Sequence, residues 1–334
     1  MNEVGWRESR IPLTYRLGEI RLFARSLRLM EYKAPFPALS GDPDALAASA
    51  GPLPPGFHGR LLRSHPIPAP LPRSCRVEGA LRYVPQQYRR YVTDLGGSFD
   101  KYLAKFSSKT RANLRKKVRR FEEHCGGTSR WAVYRLPEEM DRFHALARSL
   151  SANTYQERLL DAGLPAGEEF LEGMRRAAAE DRVRAFLLFH GEKPVAYLYC
   201  PSSDGVLVYD YLGYDPEYRS LSPGTVLQYH AFDSLFAEGR WRLFDFTQGE
   251  GAHKELFATG STLCADLYYL RPSAGIRVAL AAHAALESFS GWVVRTLDRL
   301  GLKARIKRFF RAFAGRKRPP GPEAAPPPPV DGAG

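Results

Sequence analysis

The order of apolar runs and turns between residues 183 and 270 limits this chain to a small number of folds. Each short apolar run predicts a strand, and the loop His190–Pro194 predicts a hairpin between the first two of them. The predicted elements are, in order, strands at 183–189, 195–200 and 206–212, a helix at about 224–238, a strand at 243–246, a short helix after Gly249–Gly251, and a strand at 262–270. This order predicts an α/β fold with a mixed sheet, in which two near-parallel strands flank the N-terminus of a helix. Ligands of such sheets bind where the strand ends meet the loops.

The chain before residue 183 mixes strand and helix patterns. The predicted elements are strands at 12–34 and Arg90–Leu95, a helix that begins after the N-cap Ser98, and helices at 106–121, 137–151 and 170–180. Residues 35–75 are rich in proline and glycine. We therefore expect them to cross the surface as extended loop and not as helix.

The predicted helix at 106–121 is amphipathic and carries seven basic residues. Leu114, Val118 and Phe121 follow the spacing i, i+4, i+7 and form its apolar stripe. Its basic face is either simply solvated or contacts an anionic acceptor, such as a sugar phosphate, a lipid or a tRNA. Few aromatic residues lie between these charges to stack on bases, so a nucleic acid is the less favoured partner.

Composition excludes several classes of protein. With 334 residues, 44% hydrophobic and 25% charged, the chain has the composition of a folded protein of roughly two domains. No run of about 18 apolar residues occurs, and Met1–Arg10 lacks the apolar stretch of a secretory signal. The four cysteines lie too far apart in sequence to match common metal sites. We therefore expect a cytoplasmic protein that needs no metal.

Positive charge is concentrated near the C-terminus. The net charge is +13, and Leu300–Arg318 contains eight basic residues and no acidic one. The apolar residues of this segment share one helix face: Leu302, Ile306, Phe309, Phe310 and Phe313. Such a helix favours an anionic membrane interface, and the alternatives are packing on the domain or an RNA-binding arm. We expect residues 319–334, which are rich in proline, to be disordered.

A turn of unusual composition precedes the helix predicted at 224–238. It reads Arg219-x-x-Ser222-x-Gly224, and its small residues let a ligand approach the backbone closely. The free N–H groups and the positive dipole end of a helix would suit a pyrophosphate here. Ser-Pro-Gly is also an ordinary way to begin a helix, so the spacing alone leaves both interpretations open.

Catalytic candidates are side chains that can take up or release a proton near neutral pH. Asp210 lies within an apolar strand, where an acid is either paired or functional. Strict alternation places it on the face opposite both Tyr209 and Tyr211. His253 titrates near neutral pH and is either an acid or base or a plain surface residue. The residues predicted to handle the acceptor are Asp210, Tyr211, Glu250 and His253.

Asp215-Pro-Glu-Tyr-Arg219 followed by Ser222-x-Gly224 resembles motif A of the GNAT acyltransferases, V-x-P-x-Y-R-x-x-G-x-G. The wider chain, over about residues 95–272, resembles the FemAB/CelD-like group of that superfamily, which occurs in polysaccharide-associated proteins. Further pieces of the resemblance are Ser107–Lys117 and Asp245–Gly251 followed by Lys254. The sequence departs from the motif where Ser222 replaces its first glycine and Pro223 removes an N–H group.

The resemblance implies an acyltransferase that uses acetyl-CoA or another acyl-CoA. The acyl group would pass directly to an amine or hydroxyl of a small-molecule or cell-envelope acceptor. The residues that would bind the donor are Arg219, Ser220, Ser222, Gly224, Thr225 and Lys254.

The expected organisation is two GNAT-like halves followed by a basic helical segment. The predicted boundaries are 1–105 for a degenerate GNAT-like half, 106–272 for the acyltransferase domain, 273–318 for the basic amphipathic helix and 319–334 for the tail. Two alternatives remain: a FemAB-like transferase that uses aminoacyl-tRNA, and a non-catalytic GNAT-like scaffold at a membrane. For the acyl-CoA-dependent acyltransferase, we expect a cytoplasmic protein that is peripheral on the inner face of the membrane.

Overall fold

The computed structural model describes residues 5–17, 20–33, 36, 41–152, 163–249 and 251–299. The chain divides into two compact units. The first contains Met1–Leu13 and Arg25–Leu280, and the second contains Thr14–Ala24 and Ala281–Gly334. The boundary predicted after residue 105 lies inside the first unit, and the division into two GNAT-like halves stays a prediction.

The described residues form helices and strands over most of their length. The helices are α1 (Pro43–Ser49), α2 (Phe99–Ala104), α3 (Ser108–His124), α4 (Met140–Ser151), α5 (Glu168–Ala179), α6 (Pro223–Glu238), α7 (Ala252–Phe257) and α8 (Ala274–Arg299), with 3₁₀ turns at Pro137–Glu139 and Pro216–Leu221. The strands are β1 (Gly5–Leu17), β2 (Ile20–Lys33), β3 (Gly59–Pro66), β4 (Ser74–Val77), β5 (Ala80–Tyr83), β6 (Gln87–Asp94), β7 (Arg130–Tyr134), β8 (Val183–His190), β9 (Lys193–Ser203), β10 (Val206–Val208), β11 (Tyr211–Tyr214), β12 (Leu243–Asp245) and β13 (Gly260–Leu270).

The predicted helices are confirmed where capping and periodicity agreed. Ser98 caps α2, because its side chain accepts a hydrogen bond from the backbone N–H of Lys101. The basic helix α3 buries Leu114 and Phe121 from the predicted stripe, while Val118 is partly buried. The helix predicted at 273–318 is present as α8 up to Arg299, and the rest of it, including Leu302–Phe313, lies outside the described residues.

The loop prediction for residues 35–75 is wrong at two places. Asp42 and Pro43 begin the helix α1, because an Asx N-cap and a proline at the first helical position both favour a helix start. Strand β3 is central to the sheet and buries Leu61 and Leu62 completely. The strand ends at Pro66, so this proline stops it and does not prevent it.

The described strands form one mixed sheet in the order β1-β2-β3-β13-β6-β12-β10-β9-β8-β7, with β4, β5 and β11 paired beside this path. Strands β10 and β12 pair in parallel, as predicted, and α6 connects them. Strand β13 pairs with β3, β5 and β6, so the N-terminal strands and the last strand of the first unit share the sheet. The predicted α/β fold with a mixed sheet is confirmed.

Two clusters of buried side chains lie against the strands β8 and β9. One includes Leu198 and Cys200 of β9 and packs with α3 and α6. The other includes Tyr197 and Tyr199 of the same strand and packs with α4 and α5. Because successive strand residues point to opposite faces, these two clusters identify the two sides of the sheet.

The second unit has a small core of its own. Tyr15 is buried, stacks on Phe23 at 4.1 Å between ring centroids and meets the edge of His283 at 5.3 Å. The His283 Nε2 lies 3.2 Å from the backbone oxygen of Thr14. None of the described helices combines the length and the apolar character needed to cross a bilayer.

Candidate functional site

A one-residue bulge interrupts the strand that carries the candidate base. The pairing register with β9 shifts by one residue between Leu207, which pairs with Ser202, and Tyr211, which pairs with Tyr199. Tyr209 and Asp210 lie at this shift, between β10 and β11. A bulge leaves an extra residue unpaired and changes the direction of its side chain.

The bulge puts Tyr209 and Tyr211 on different sides of the sheet. Tyr209 packs against Phe246 in the cluster of α6, whereas Tyr211 meets the edge of Phe170 in the cluster of α5. The prediction that both tyrosines share a face is therefore wrong, because alternation does not hold across an inserted residue.

The parallel strands β10 and β12 separate at the bulge. Their last contact is the hydrogen bond from the Tyr209 N–H to the Asp245 oxygen, at 2.8 Å. Beyond it the chain after β12 turns toward β6, where the Phe246 N–H donates to the Tyr91 oxygen at 3.0 Å. Among the residues that the structure describes, β11 pairs only with β9. One edge of β11, next to Asp210, thus has no partner among the described strands.

Asp210 as a whole residue is exposed to solvent. Its carboxyl group nevertheless has enough protein atoms around it to lose much of its hydration. This desolvation raises its pKa to about 6. Within the described part of the chain, no side chain or N–H group donates a hydrogen bond to the carboxylate. A carboxylate with this pKa is ionised at neutral pH and basic enough to take up a proton.

His253 lies at the start of α7, and its Nε2 is 3.3 Å from the Tyr209 hydroxyl. Burial lowers the pKa of His253, and the adjacent Lys254 ammonium lowers it further. The imidazole is therefore neutral at pH 7 and is hydrogen-bonded to the Tyr209 hydroxyl. Tyr209 was not among the sequence candidates, and its position just before Asp210 was the signal available for it.

Lys254 is buried, and its ammonium donates to the Gln248 carbonyl oxygen at 2.8 Å. Burial lowers its pKa. The lysine thus holds the loop that precedes α7. Tyr211 is half-buried, and burial raises the pKa of its hydroxyl. Glu250 lies outside the described residues.

The turn before α6 holds a serine in a strained conformation. Ser222 has φ 56° and ψ 49°, in the left-handed region that favours glycine. This is the position at which the GNAT motif has its first glycine, a residue that adopts this conformation without strain. Non-glycine residues in this region cost free energy and occur often at ligand sites.

Few N–H groups of this turn are free. The Ser222 N–H donates to Arg219, and the N–H groups of Thr225 and Val226 both donate to the Ser222 oxygen. Pro223 has none, so the Gly224 N–H is the one group of residues 222–226 without an acceptor among the described residues. A Cβ on Gly224 would lie 3.4 Å from Leu212 Cδ2, an ordinary contact.

The remaining predicted donor-binding residues surround the same turn. Arg219 and Ser220 are exposed on the 3₁₀ turn, and Thr225 is partly buried in the first turn of α6. A groove of about 600 Å³ borders the turn on the side of the basic helix α3. Its lining residues are Arg120, Glu123, His124, Glu217, Tyr218, Ser220 and Leu221. The sequence indicated the basic helix but not this groove.

Both carboxylate oxygens of Asp245, at the end of β12, accept hydrogen bonds. Asp245 is 1% exposed, accepts a two-point hydrogen-bonded ion pair from Arg90 and also accepts the Thr247 N–H at 2.9 Å. The described residues contain no group of three or more histidine, cysteine, aspartate or glutamate side chains arranged to hold a metal ion. That the protein needs no metal stays a prediction.

Residues 108–255 match the family model described as Acetyltransferase (GNAT) domain. This match supports the resemblance that the sequence motifs indicated, and it spans α3, the bulged strand, the turn and α6. No curated protein matches the chain significantly.

Several solved structures are similar to this chain at low identity. L-PGS from Bacillus licheniformis is 14% identical over 68% of this chain and 72% of that chain, with a TM-score of 0.43. The C-terminal domain (DUF2156) of a putative lysylphosphatidylglycerol synthetase from Agrobacterium fabrum is 11% identical over 68% and 72%, with a TM-score of 0.46. FemX is 13% identical over 80% of this chain and 89% of that chain, with a TM-score of 0.44.

Proposed function

We propose that the GNAT acetyltransferase domain formed by residues 108–255 of this acyltransferase takes an acyl-CoA donor, and that Asp210 is its general base. The acceptor is an amine, or a hydroxyl, of a small molecule or a cell-envelope component. The acyl group passes to it directly, without a covalent intermediate on the protein.

One observation carries this proposal. An accessible carboxylate with a pKa of about 6 lies at the bulge where two parallel strands separate, on the strand that leads to the turn before α6. No described partner neutralises this carboxylate, so it is available to a substrate. Perturbed acids in such positions are frequent at active sites.

The turn before α6 fits one anionic group of the donor. The Gly224 N–H has no acceptor among the described residues, and the N-terminus of α6 carries the positive end of the helix dipole. Arg219 and Ser220 are exposed beside it. When bound, the donor supplies a thioester whose carbonyl carbon is the electrophile.

Asp210 takes a proton from the acceptor ammonium, which leaves the nitrogen lone pair free to form the new C–N bond. The carbon–sulfur bond breaks, and its electron pair leaves with the sulfur. The nitrogen of the new C–N bond loses its second proton, which replaces the one that the leaving thiolate takes up. Tyr209, hydrogen-bonded to the neutral His253, is the nearest described hydroxyl on the same bulge that can return a proton to that sulfur. The base and the proton donor are thus adjacent residues of the same bulge.

The test is a thermal-shift titration with CoA, acetyl-CoA and a long-chain acyl-CoA. A ligand that binds only the folded protein raises Tm in proportion to the logarithm of its concentration. We expect a shift in the parent protein and none in Gly224→Asp, whose carboxylate would repel the donor's phosphates.

Gly224→Ala is the matched control, because the structure accommodates its methyl group. This variant should keep most of the shift. A shift that survives in Gly224→Asp would mean that the donor binds elsewhere.

A second candidate donor is aminoacyl-tRNA, which the turn itself favours. Ser222 and Pro223 leave one free N–H where a pyrophosphate would accept several, and an aminoacyl ester brings no pyrophosphate. Copurifying RNA, seen as a high ratio of absorbance at 260 nm to that at 280 nm and lost at high salt, would support this donor. Absence of both RNA and any CoA-dependent shift would favour the scaffold reading.

Both donors are cytosolic molecules, and the four cysteines are free thiols. These features support a protein of the reducing cytoplasm. Fractionation of cells that express the tagged chain would test this, with recovery outside the cytoplasm and the inner membrane face as the contrary result.

A further inference from the structure

Exposed apolar side chains are concentrated in the second unit. Six large hydrophobic residues are exposed among the residues that the structure describes, and four of them belong to this unit. These four are Leu22, Phe23, Phe289 and Trp292, each more than half exposed. The described part of this unit consists only of a short hairpin end and residues 281–299 of α8, so four such residues are many for its size.

Trp292 and Phe289 form the helix site. Their rings stack at 6.0 Å between centroids, near the C-terminal end of α8. The other side chains exposed between residues 281 and 292 are alanines and a serine, so this helix face carries no charge. An exposed helix face in contact only with water normally carries charged residues.

Leu22 and Phe23 form the hairpin site, near the start of β2. Phe23 stacks on the buried Tyr15 with one ring face and remains 56% exposed. The packing of Tyr15 on His283 fixes this end of the hairpin to α8 within the unit. Both sites therefore belong to one packed body and not to loose chain ends.

The sequence that follows α8 indicates what covers these sites. Leu300–Arg318, which follows the last residue of α8, adds eight basic residues and no acidic one. Aromatic side chains beside clustered positive charge are the combination that binds anionic lipid headgroups and the interface beneath them. A second copy of the chain would bring the same positive charges and be repelled.

We propose that the second unit docks on an anionic lipid bilayer, with the helix site and the hairpin site inserted at the level of the headgroups. The basic segment supplies the attraction to the surface, and the four apolar side chains supply the penetration. This docking is independent of the donor chemistry of the first unit.

The experiment measures binding of the full chain to vesicles of phosphatidylcholine with 30% phosphatidylglycerol, by cosedimentation. We expect Phe289→Ser/Trp292→Ser to lower the partition coefficient roughly ten- to a hundredfold, because two half-exposed aromatic rings no longer enter the interface. Leu22→Ser/Phe23→Ser should give a smaller loss in the same direction. Leu136→Ser is the matched control, since it removes an apolar residue of the first unit that is 45% exposed and should change nothing.

Tryptophan fluorescence gives an independent readout. Trp292 is 57% exposed, whereas Trp6 and Trp131 are partly buried and Trp241 is buried. Vesicles should shift the emission of the parent to shorter wavelength, and Trp292→Phe should abolish the shift while it keeps most of the binding. Removal of residues 300–334 should abolish the preference for anionic over pure phosphatidylcholine vesicles.

Three results would overturn the proposal. They are equal vesicle binding by the parent and Phe289→Ser/Trp292→Ser, a parent emission that vesicles leave unchanged, or a parent dimer that this double variant converts to a monomer. The thermal shift with the donor tests the first unit separately, so failure of one proposal leaves the other standing.

Discussion

The strands β10 and β12 end in the same sequence pattern, but the aspartates at their ends have opposite environments. Each is a short apolar strand, the two pair in parallel, and an aspartate lies at or just after each end. Asp245 is sealed by Arg90 and the Thr247 N–H, whereas Asp210 is accessible and has no described hydrogen-bond donor. An acid that is fully paired maintains the architecture, and an acid left without a partner is available for chemistry.

Of the variants considered, Asp210→Asn should have the largest effect, which is a loss of catalytic rate. Loss of a general base lowers the rate by about 10²- to 10⁴-fold, and removal of an unpaired carboxylate should not lower Tm at pH 8. Thiol release from acetyl-CoA with a panel of amine acceptors measures the rate, and thermal unfolding measures Tm. A variant that unfolds earlier and keeps its specific activity would assign Asp210 to structure.

Arg90→Leu should lower the free energy of unfolding, because it leaves the buried Asp245 carboxylate without its cationic partner. Loss of one partner of a buried ion pair costs about 3–5 kcal/mol in the free energy of unfolding, measurable by urea denaturation. The neighbouring Arg89→Leu is the control, because Arg89 is exposed and should change the free energy by less than about 0.5 kcal/mol. Equal curves for the two variants would remove the contrast between Asp245 and Asp210.

The pH dependence of the rate tests whether Asp210 is the general base. Because the base must be ionised and its pKa is about 6, kcat/KM should rise with pH up to about 6 and then level off. Below that pKa, each decrease of one pH unit should lower kcat/KM about tenfold. A pH-rate profile checks this, and a profile without an inflection between pH 5 and 7 would contradict the assignment of Asp210.

The stability effect of Asp210 has the opposite sign to that of a paired carboxylate. Its pKa is raised on folding, so between about 4 and 6 the folded state binds more protons than the unfolded state, and stability falls as pH rises. The Tm of Asp210→Asn relative to the parent should therefore increase across this window. A constant difference in Tm would show that the carboxyl group titrates alike in both states.

Tyr209→Phe should have the smallest effect on stability. It removes the 3.3 Å hydrogen bond to His253, which is worth about 0.5–1 kcal/mol in the free energy of unfolding. Tyr214→Phe is the control, since Tyr214 packs against the same cluster and its hydroxyl makes no described hydrogen bond. If Tyr209 also returns the proton to sulfur, its variant alone should lower the rate; equal rates for the two variants would exclude that role.

The sequence predicted the elements whose signals are local. Periodicity and capping identified α2, α3 and α6, and two apolar runs around a turn identified the hairpin of β8 and β9. The same local reasoning failed for α1 and β3, because proline and glycine mark the ends of elements as well as loops. The turn at Ser222 was located from its spacing alone, but its left-handed backbone was not.

The sequence by itself therefore determined the order of strands and helices, the position of the turn before α6 and the candidates Asp210 and His253. Only the tertiary structure decided which aspartate is free, because the arginine that binds Asp245 lies 155 residues earlier in the chain. It also decided the faces of Tyr209 and Tyr211, since one inserted residue reverses the alternation and depends on pairing with β9. Local propensity acts within a few residues, whereas the partner of a buried charge and the register of a strand are set by contacts distant in sequence.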